Sequence, residues 1–142
     1  MYEYGATCTL SPGIRHDGSV MPEPIRLRKE FIHALENRDF SQMAVFFARE
    51  VRFRALVPPG ICEAGNPAGA ISWLQRWFGE ADQFQVLAAT VEQVFDRLYF
   101  RYRLRVHDDA NGWRVIEQQA YCNVKAGEID DIRLLCSGFR PE

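Results

Sequence analysis

Residues 98–107 read LYFRYRLRVH, and this stretch decides the fold. The even-numbered positions carry apolar or aromatic side chains, and the odd-numbered positions between them carry Tyr99, three arginines and His107. A period of two is the pattern of a β-strand with one buried face and one solvated face. The turn residues 108–112, which read DDANG, follow directly. They predict a hairpin into a second long strand.

Further strands are predicted on both sides of this hairpin. The alternation indicates strands at 84–95, 113–125 and 129–136, with a bulge near Ala88 and Ala89. A shorter strand is predicted at 51–55, where apolar and basic residues alternate, and Pro58-Pro59-Gly60 ends it. We therefore expect a run of antiparallel strands in the second half of the chain.

Three helices are predicted before this run of strands. The first begins at Pro24 and places Leu27, Phe31, Ala34 and Leu35 at helical spacing. Asp39 caps a second helix, whose apolar stripe runs from Phe40 to Phe47. Asn66 caps a third helix that continues to Phe78. The fold class is thus α+β, with the three helices packed on one face of a bent antiparallel sheet.

The domain organisation follows from the same pattern. Residues 1–23 are rich in glycine and proline without periodicity, which is typical of an irregular arm. Residues 24–142 form one domain, and a chain of 142 residues has the length of a single domain. We find no internal repeat and no linker.

Composition and charge exclude several classes of function. The net charge of −2 gives no general basic field, so we expect no nucleic-acid partner. No apolar run reaches the roughly 18 residues of a membrane span, and no secretory signal is visible, so a cytoplasmic location is predicted. The four cysteines form no C-x-x-C pair and no histidine lies at metal-site spacing from them, so reduced thiols, no metal and no cofactor are expected.

Three local sequences resemble the nuclear transport factor 2-like, or SnoaL-like, superfamily. They are Asn37-Arg38-Asp39, the stretch FAREV at 47–51 and the stretch VKAGEI at 124–129. The resemblance covers residues 24–140 and implies a cone-shaped fold with an internal pocket. Familiar members include ketosteroid isomerases, polyketide cyclases, limonene epoxide hydrolases and scytalone dehydratases.

The resemblance also implies that two of these chemistries are absent. An isomerase of this superfamily needs a carboxylate base and two acidic donors, and the matching positions are Ala55, Phe31 and Ala120. The matching positions for the Asp-Arg-Asp set of an epoxide hydrolase are Leu104, Tyr102 and Leu134. We therefore expect no catalytic residue of either kind.

The expected pocket is mostly apolar and has two polar side chains. Tyr102 and Gln118 would orient a small apolar ligand, with Glu63 near the mouth of the pocket. The alternation of residues and the resemblance together predict the following pocket residues: Phe31, Phe53, Trp73, Tyr102, Leu104, Gln118, Leu134 and Cys136. Two alternatives stay open: an accessory domain whose own aromatic side chains fill the cavity, and an enzyme of the polyketide cyclase, isomerase or lyase type.

The opposite face of the predicted sheet is basic. Its arginines are Arg52, Arg54, Arg101, Arg103, Arg105 and Arg133. Cross-strand pairs such as Arg103 with Glu117 explain these charges more simply than a nucleic-acid groove. The resemblance implies dimerisation through this outer face, so a homodimer is predicted.

Overall fold

The computed structural model describes the backbone from Glu23 and the side chains from Lys29 onward, through to Glu142. The predicted arm at 1–23 and the side chain of Leu27 therefore lie outside the described residues. The described chain is α+β, as the sequence predicts. Its three helices are α1 (Glu23–Glu36), α2 (Phe40–Ala44) and α3 (Pro67–Phe78). None of the helices in the described part of the chain is long and apolar enough to cross a membrane.

Seven strands of the described chain form one sheet. They are β1 (Phe47–Val57), β2 (Gly60–Ala64), β3 (Gln83–Val94), β4 (Arg97–Asp108), β5 (Gly112–Lys125), β6 (Glu128–Cys136) and β7 (Arg140–Pro141). The order is β2-β1-β6-β5-β4-β3, and β7 pairs with β5 beyond the end of β6. The predicted bulge of β3 is present as a register shift between Val86 and Ala88.

The sheet is mixed, which corrects the prediction of a wholly antiparallel sheet. Strand β6 runs parallel to β1, with Phe53 opposite Ile132 and Ala55 opposite Leu134. The alternation of side chains is the same in parallel and antiparallel strands, so the sequence pattern did not distinguish them. The pair joins the N-terminal hairpin to the four-stranded meander β3–β6.

Strand β2 was missed, and the predicted end of β1 is instead a hairpin turn. Pro58 and Pro59 form the turn, and β2 returns antiparallel to β1 with Cys62 opposite Ala55. At five residues, β2 is too short to show a persuasive alternation. Glu63 accordingly lies on a strand and not in a loop.

The second helix is shorter than predicted. It ends at Ala44, so Phe46 and Phe47 are buried but belong to the turn and to β1. The backbone N–H of Ile129 donates to the carbonyl oxygen of Phe46 at 2.8 Å, which ties this segment to β6. The predicted caps are confirmed, because Asp39 accepts from the N–H of Gln42 and Asn66 accepts from the N–H of Gly69.

Aromatic side chains fill much of the space between the helices and the sheet. The ring of Phe31 on α1 lies 4.9 Å from that of Phe100 on β4 and 5.7 Å from that of Phe46. On the other side, Trp77 on α3 lies 6.4 Å from Phe53 on β1. The inward side chains of β4, at the even-numbered positions of 98–107, are all buried. The core is therefore where the alternation placed it.

Candidate functional site

A cavity of about 500 Å³ lies at the end of the sheet where β1 and β6 finish. Its walls come from the β1–β2 turn, helix α3, strand β5 and the segment after β6. The lining is mostly apolar and includes Val57, Pro58, Trp77, Ile116, Cys136 and Phe139. A cavity of this size and character is typical of small-molecule sites.

The segment after β6 forms one wall of the cavity, and backbone contacts fix it. The N–H of Ser137 donates to the carbonyl oxygen of Glu117, and the N–H of Glu117 donates to the hydroxyl oxygen of Ser137, both at 2.9 Å. Gly138 has a φ of 78°. A Cβ there would lie 2.6 Å from Cγ of Pro58. Glycine therefore lets the segment lie directly against the β1–β2 turn.

The end of the chain is fastened by a second set of contacts. Arg105 on β4 forms a bidentate ion pair with Glu142, with a shortest distance of 2.7 Å. The guanidinium of Arg105 also stacks on the ring of Trp113, 3.7 Å from its centroid. Hydrogen bonding to Arg105 holds the pKa of Glu142 below its usual range. The wall is thus anchored on both sides of β7.

A buried chain of hydrogen bonds ends at the floor of the cavity. The hydroxyl of Tyr102 donates to Oε1 of Gln118 at 2.6 Å, and Nε2 of Gln118 donates to Sγ of Cys136 at 3.2 Å. The N–H of Gly138 reaches the same sulfur at 3.3 Å. Burial raises the pKa of Tyr102, so its phenol stays protonated and remains a donor at neutral pH.

The structure separates the eight predicted pocket residues into three groups. Cys136 lines the cavity at the ends of β1 and β6. Trp73 lies at another cleft, and the other six are packed in the core, each 5% exposed or less: Phe31, Phe53, Tyr102, Leu104, Gln118 and Leu134. Tyr102 and Gln118 do converge, but they bond to one another and lie behind Cys136.

Trp73 lies with Glu63 beside a smaller cleft of about 380 Å³ between β2 and α3. Its indole N–H donates to the backbone carbonyl oxygen of Glu63 at 3.1 Å, and Arg76 stacks on its ring. These contacts satisfy the polar groups of Trp73 within the protein. A larger and more open cleft of about 800 Å³ lies between α1 and β3, where surface side chains such as Lys29, Glu30 and His33 line it.

One group of side chains has the composition of a metal site. Asp82, His107 and Asp109 have ligand atoms within 4.8 Å of one another. His107 Nδ1 already lies 2.8 Å from Oδ1 of Asp82, and its ring packs against Trp113 at 5.1 Å. A cation bound through Nδ1 of His107 would have to displace this hydrogen bond, so the group is explained by the contact between β4 and the segment before β3.

Of the residues that line the cavity, only Cys136 belongs to the predicted pocket set, and Arg140 is the charged residue among those that were missed. It lies in β7 at the rim of the cavity, opposite Val115 of β5. The resemblance pointed to inward positions on the long strands, whereas β7 has only two residues and no periodicity. The only available signal was the unusual mixture of small, aromatic and basic residues at 136–141.

The outer face of the sheet carries the predicted cross-strand ion pairs. Arg103 lies opposite Glu117 in the register of β4 and β5, at 3.6 Å, and Arg101 donates to the same carboxylate at 2.9 Å. Arg54 and Arg133 both approach Asp131, at 3.7 and 3.6 Å.

Cys62, Cys122 and Cys136 are free thiols. Cys8 lies outside the described residues.

No protein-family model and no curated protein matches this sequence. Solved structures do match. A protein with a ketosteroid isomerase-like fold from Catenulispora acidiphila, in complex with trimethylamine, has a TM-score of 0.66 and 11% identity, over 79% of this chain and 85% of that one.

Two more solved structures resemble the chain to a similar degree. A candidate polyketide cyclase from Xanthomonas campestris has a TM-score of 0.64 and 21% identity, over 80% of this chain and 89% of that one. A protein of unknown function from Burkholderia pseudomallei, named as nuclear transport factor 2-like, has a TM-score of 0.63 and 14% identity, over 80% and 90% of the two chains. At such identities the likeness concerns the fold, and the chain has the nuclear transport factor 2-like (SnoaL-like) fold that its sequence resembles.

Proposed function

We propose that this protein binds a small, mostly apolar molecule in the cavity between the β1–β2 turn, α3 and the segment after β6. The observation that carries the proposal is the cavity itself, with a volume of about 500 Å³ and a mainly apolar lining. Sites for small molecules have volumes of roughly 300–1,000 Å³ and few polar groups. The proposed function is binding without the catalytic residues of the isomerases or the epoxide hydrolases.

Tyr102 and Gln118 have an indirect role in this proposal. Both are almost fully buried, and their hydrogen bonds lead to the sulfur of Cys136. Because Sγ of Cys136 also accepts from Gly138, three groups of the protein fix the floor of the cavity. The ligand would contact Cys136, while Tyr102 and Gln118 hold that side chain in place.

A screen of small compounds tests the proposal when one variant fills the cavity. We expect a set of apolar carbonyl and phenolic compounds to include some that raise the melting temperature of the wild type. Val57→Phe adds a ring at the cavity wall in a residue type that suits a strand, so these compounds should no longer stabilise the protein. Val94→Phe is the matched control, because Val94 is an exposed residue of β3 outside the cavity.

The two results that count against the proposal are distinct. A screen without any stabilising compound would remove the support for a ligand site. Compounds that stabilise the wild type and Val57→Phe equally would bind elsewhere on the protein, for example in the cleft beside α1.

A second candidate function is an accessory domain without a ligand. The packed aromatic interior favours it, because Phe31, Phe46 and Phe100 occupy the space between α1 and the sheet. An empty compound screen together with a stable dimer is the result that this candidate predicts. The third possibility, an enzyme of the polyketide cyclase, isomerase or lyase type, would have to act mainly by shape and hydrogen bonding.

We also propose that two copies of the chain associate through the outer sheet face. Ile61, Leu56 and Leu135 lie side by side on β2, β1 and β6, and each is more than half exposed. Charges of both signs lie beside this row, because Arg54 and Arg133 lie near Asp131. A face with an apolar row and both charges can be complementary to a second copy of itself.

A further inference from the structure

The charge at the cavity is positive. Arg140 is the charged side chain among the residues that line it, and it is exposed. The neighbouring arginines have carboxylate partners, since Arg105 pairs with Glu142 and Arg114 pairs with Asp108. In the described part of the chain, no carboxylate lies within ion-pair distance of Arg140, so its guanidinium is available to a ligand.

The other polar side chains at the cavity are also suited to a ligand that accepts hydrogen bonds. The indole N–H of Trp77 donates no hydrogen bond to another described residue, and an indole can only donate. The hydroxyl of Ser137 already donates to the carbonyl oxygen of Gly138 and accepts from Glu117. The free hydrogen-bonding capacity of these side chains is therefore mostly that of donors.

The aromatic walls favour a flat ligand and disfavour a cation. Trp77 and Phe139 both contribute to the lining. Phe139 already has a cation on one face, because the guanidinium of Arg114 lies 4.4 Å from its ring centroid. A second cation would meet the positive charge of Arg140 as well, whereas an anion would be attracted by it.

We propose that the cavity takes a small aromatic carboxylate, with its ring against the apolar walls and its carboxylate facing Arg140. This inference rests on the proposed function and specifies the ligand class for the same cavity. Arginine suits a carboxylate because its planar guanidinium can donate two parallel hydrogen bonds.

Three probes of one shape test the inference. They are 2-naphthoate, the neutral 2-naphthamide and the cationic 2-naphthylmethylammonium, titrated by calorimetry at low salt. We expect 2-naphthoate to bind about tenfold more tightly than the amide, as a charge-assisted hydrogen bond allows. The cation should bind most weakly. Binding should shift the indole N–H resonance of Trp77, which reports on the cavity directly.

Arg140→Gln should remove the preference for the carboxylate and leave the affinity for the amide unchanged. Arg52→Gln is the matched control, because it removes the same charge from an exposed position on the outer face of β1. Since Arg140 is exposed, neither substitution should disturb folding, and the melting temperature of the unliganded protein verifies this.

The outcomes separate this inference from the proposed function. If the amide binds as tightly as the carboxylate, and Val57→Phe abolishes both, the cavity is a ligand site and the preference for an anion is wrong. If compounds of other classes bind but 2-naphthoate does not, the aromatic carboxylate is also wrong. If neither these probes nor any compound of the screen binds, the proposed function itself fails.

Discussion

Two tyrosine–glutamine pairs join β4 to β5 on opposite faces of the sheet. Tyr102 donates to Gln118 in the buried interior at 2.6 Å, and Tyr99 donates to Gln119 on the outer face at 3.0 Å. The chemical groups are the same, but only the inner pair is shielded from water. A buried acceptor that loses its donor cannot be satisfied by solvent, whereas an outer acceptor can.

Tyr102→Phe should therefore destabilise the protein by about 1–3 kcal/mol, because it leaves Oε1 of Gln118 buried without a donor. The free energy of unfolding, measured in urea, gives this value. Tyr99→Phe removes the same hydroxyl from a half-buried position and should cost clearly less. Equal losses for the two variants would contradict the view that burial decides the energy of this hydrogen bond.

The alternation of residues predicts which side chains face inward, but it does not predict which of them border a cavity. Leu104 and Gln118 face inward as expected, and both are completely enclosed. Cys136 faces inward too but lines the cavity, because it is the last residue of β6 and lies at the end of the sheet where the cavity opens. Whether an inward side chain is enclosed or lines the cavity depends on where the strands end in three dimensions. Alternation along a strand does not encode this.

At the scale of elements, the segment after β6 is the feature that shapes the site. It lies against the β1–β2 turn, which the sequence predicts as the simple end of a strand. The turn Pro58-Pro59 closes a hairpin whose second strand has only five residues. Gly138 approaches Pro58 closely enough to exclude a side chain. The β1–β2 hairpin and the approach of Gly138 to Pro58 leave no periodic pattern in the sequence, so neither could be predicted.

Gly138→Ala should both strain and displace this segment. Its φ of 78° costs a non-glycine residue about 1–3 kcal/mol, and the added methyl group would meet Cγ of Pro58. We expect a loss of stability and a weaker affinity for any ligand of the cavity. Both effects can be measured with one thermal-shift series at increasing ligand concentration.

Gly112→Ala provides a matched control for the strain alone. Gly112 has a similar φ of 70°, but a Cβ at this position would have no atom within 4 Å. It lies at the β4–β5 turn and outside the cavity. Gly112→Ala should thus lose stability and keep its ligand affinity. If both variants keep the same affinity, the contact between Gly138 and Pro58 does not shape the site.

At the scale of the whole molecule, the two faces of the sheet have different tasks. The inner face packs against the helices, and its side chains form the core. No helix of the described residues covers the outer face, which combines ion pairs with large exposed apolar side chains. Exposure of the apolar side chains of Ile61, Leu56 and Leu135 to water is unfavourable. We therefore propose that a second copy of the chain covers this row.

Leu56→Lys tests this association because Leu56 lies at the centre of the row, between Ile61 and Leu135. A dimer would place this lysine in an apolar interface near its symmetry-related copy, so the desolvation and repulsion of two charges should shift the protein to monomers. Sedimentation equilibrium over a range of concentrations measures the change in the dissociation constant. Val45→Lys is the control, because Val45 is also more than half exposed but lies in the turn between α2 and β1. It should leave the dimer intact. A wild type that stays monomeric at every concentration would show that this face has another role, and equal dissociation of both variants would place the interface elsewhere.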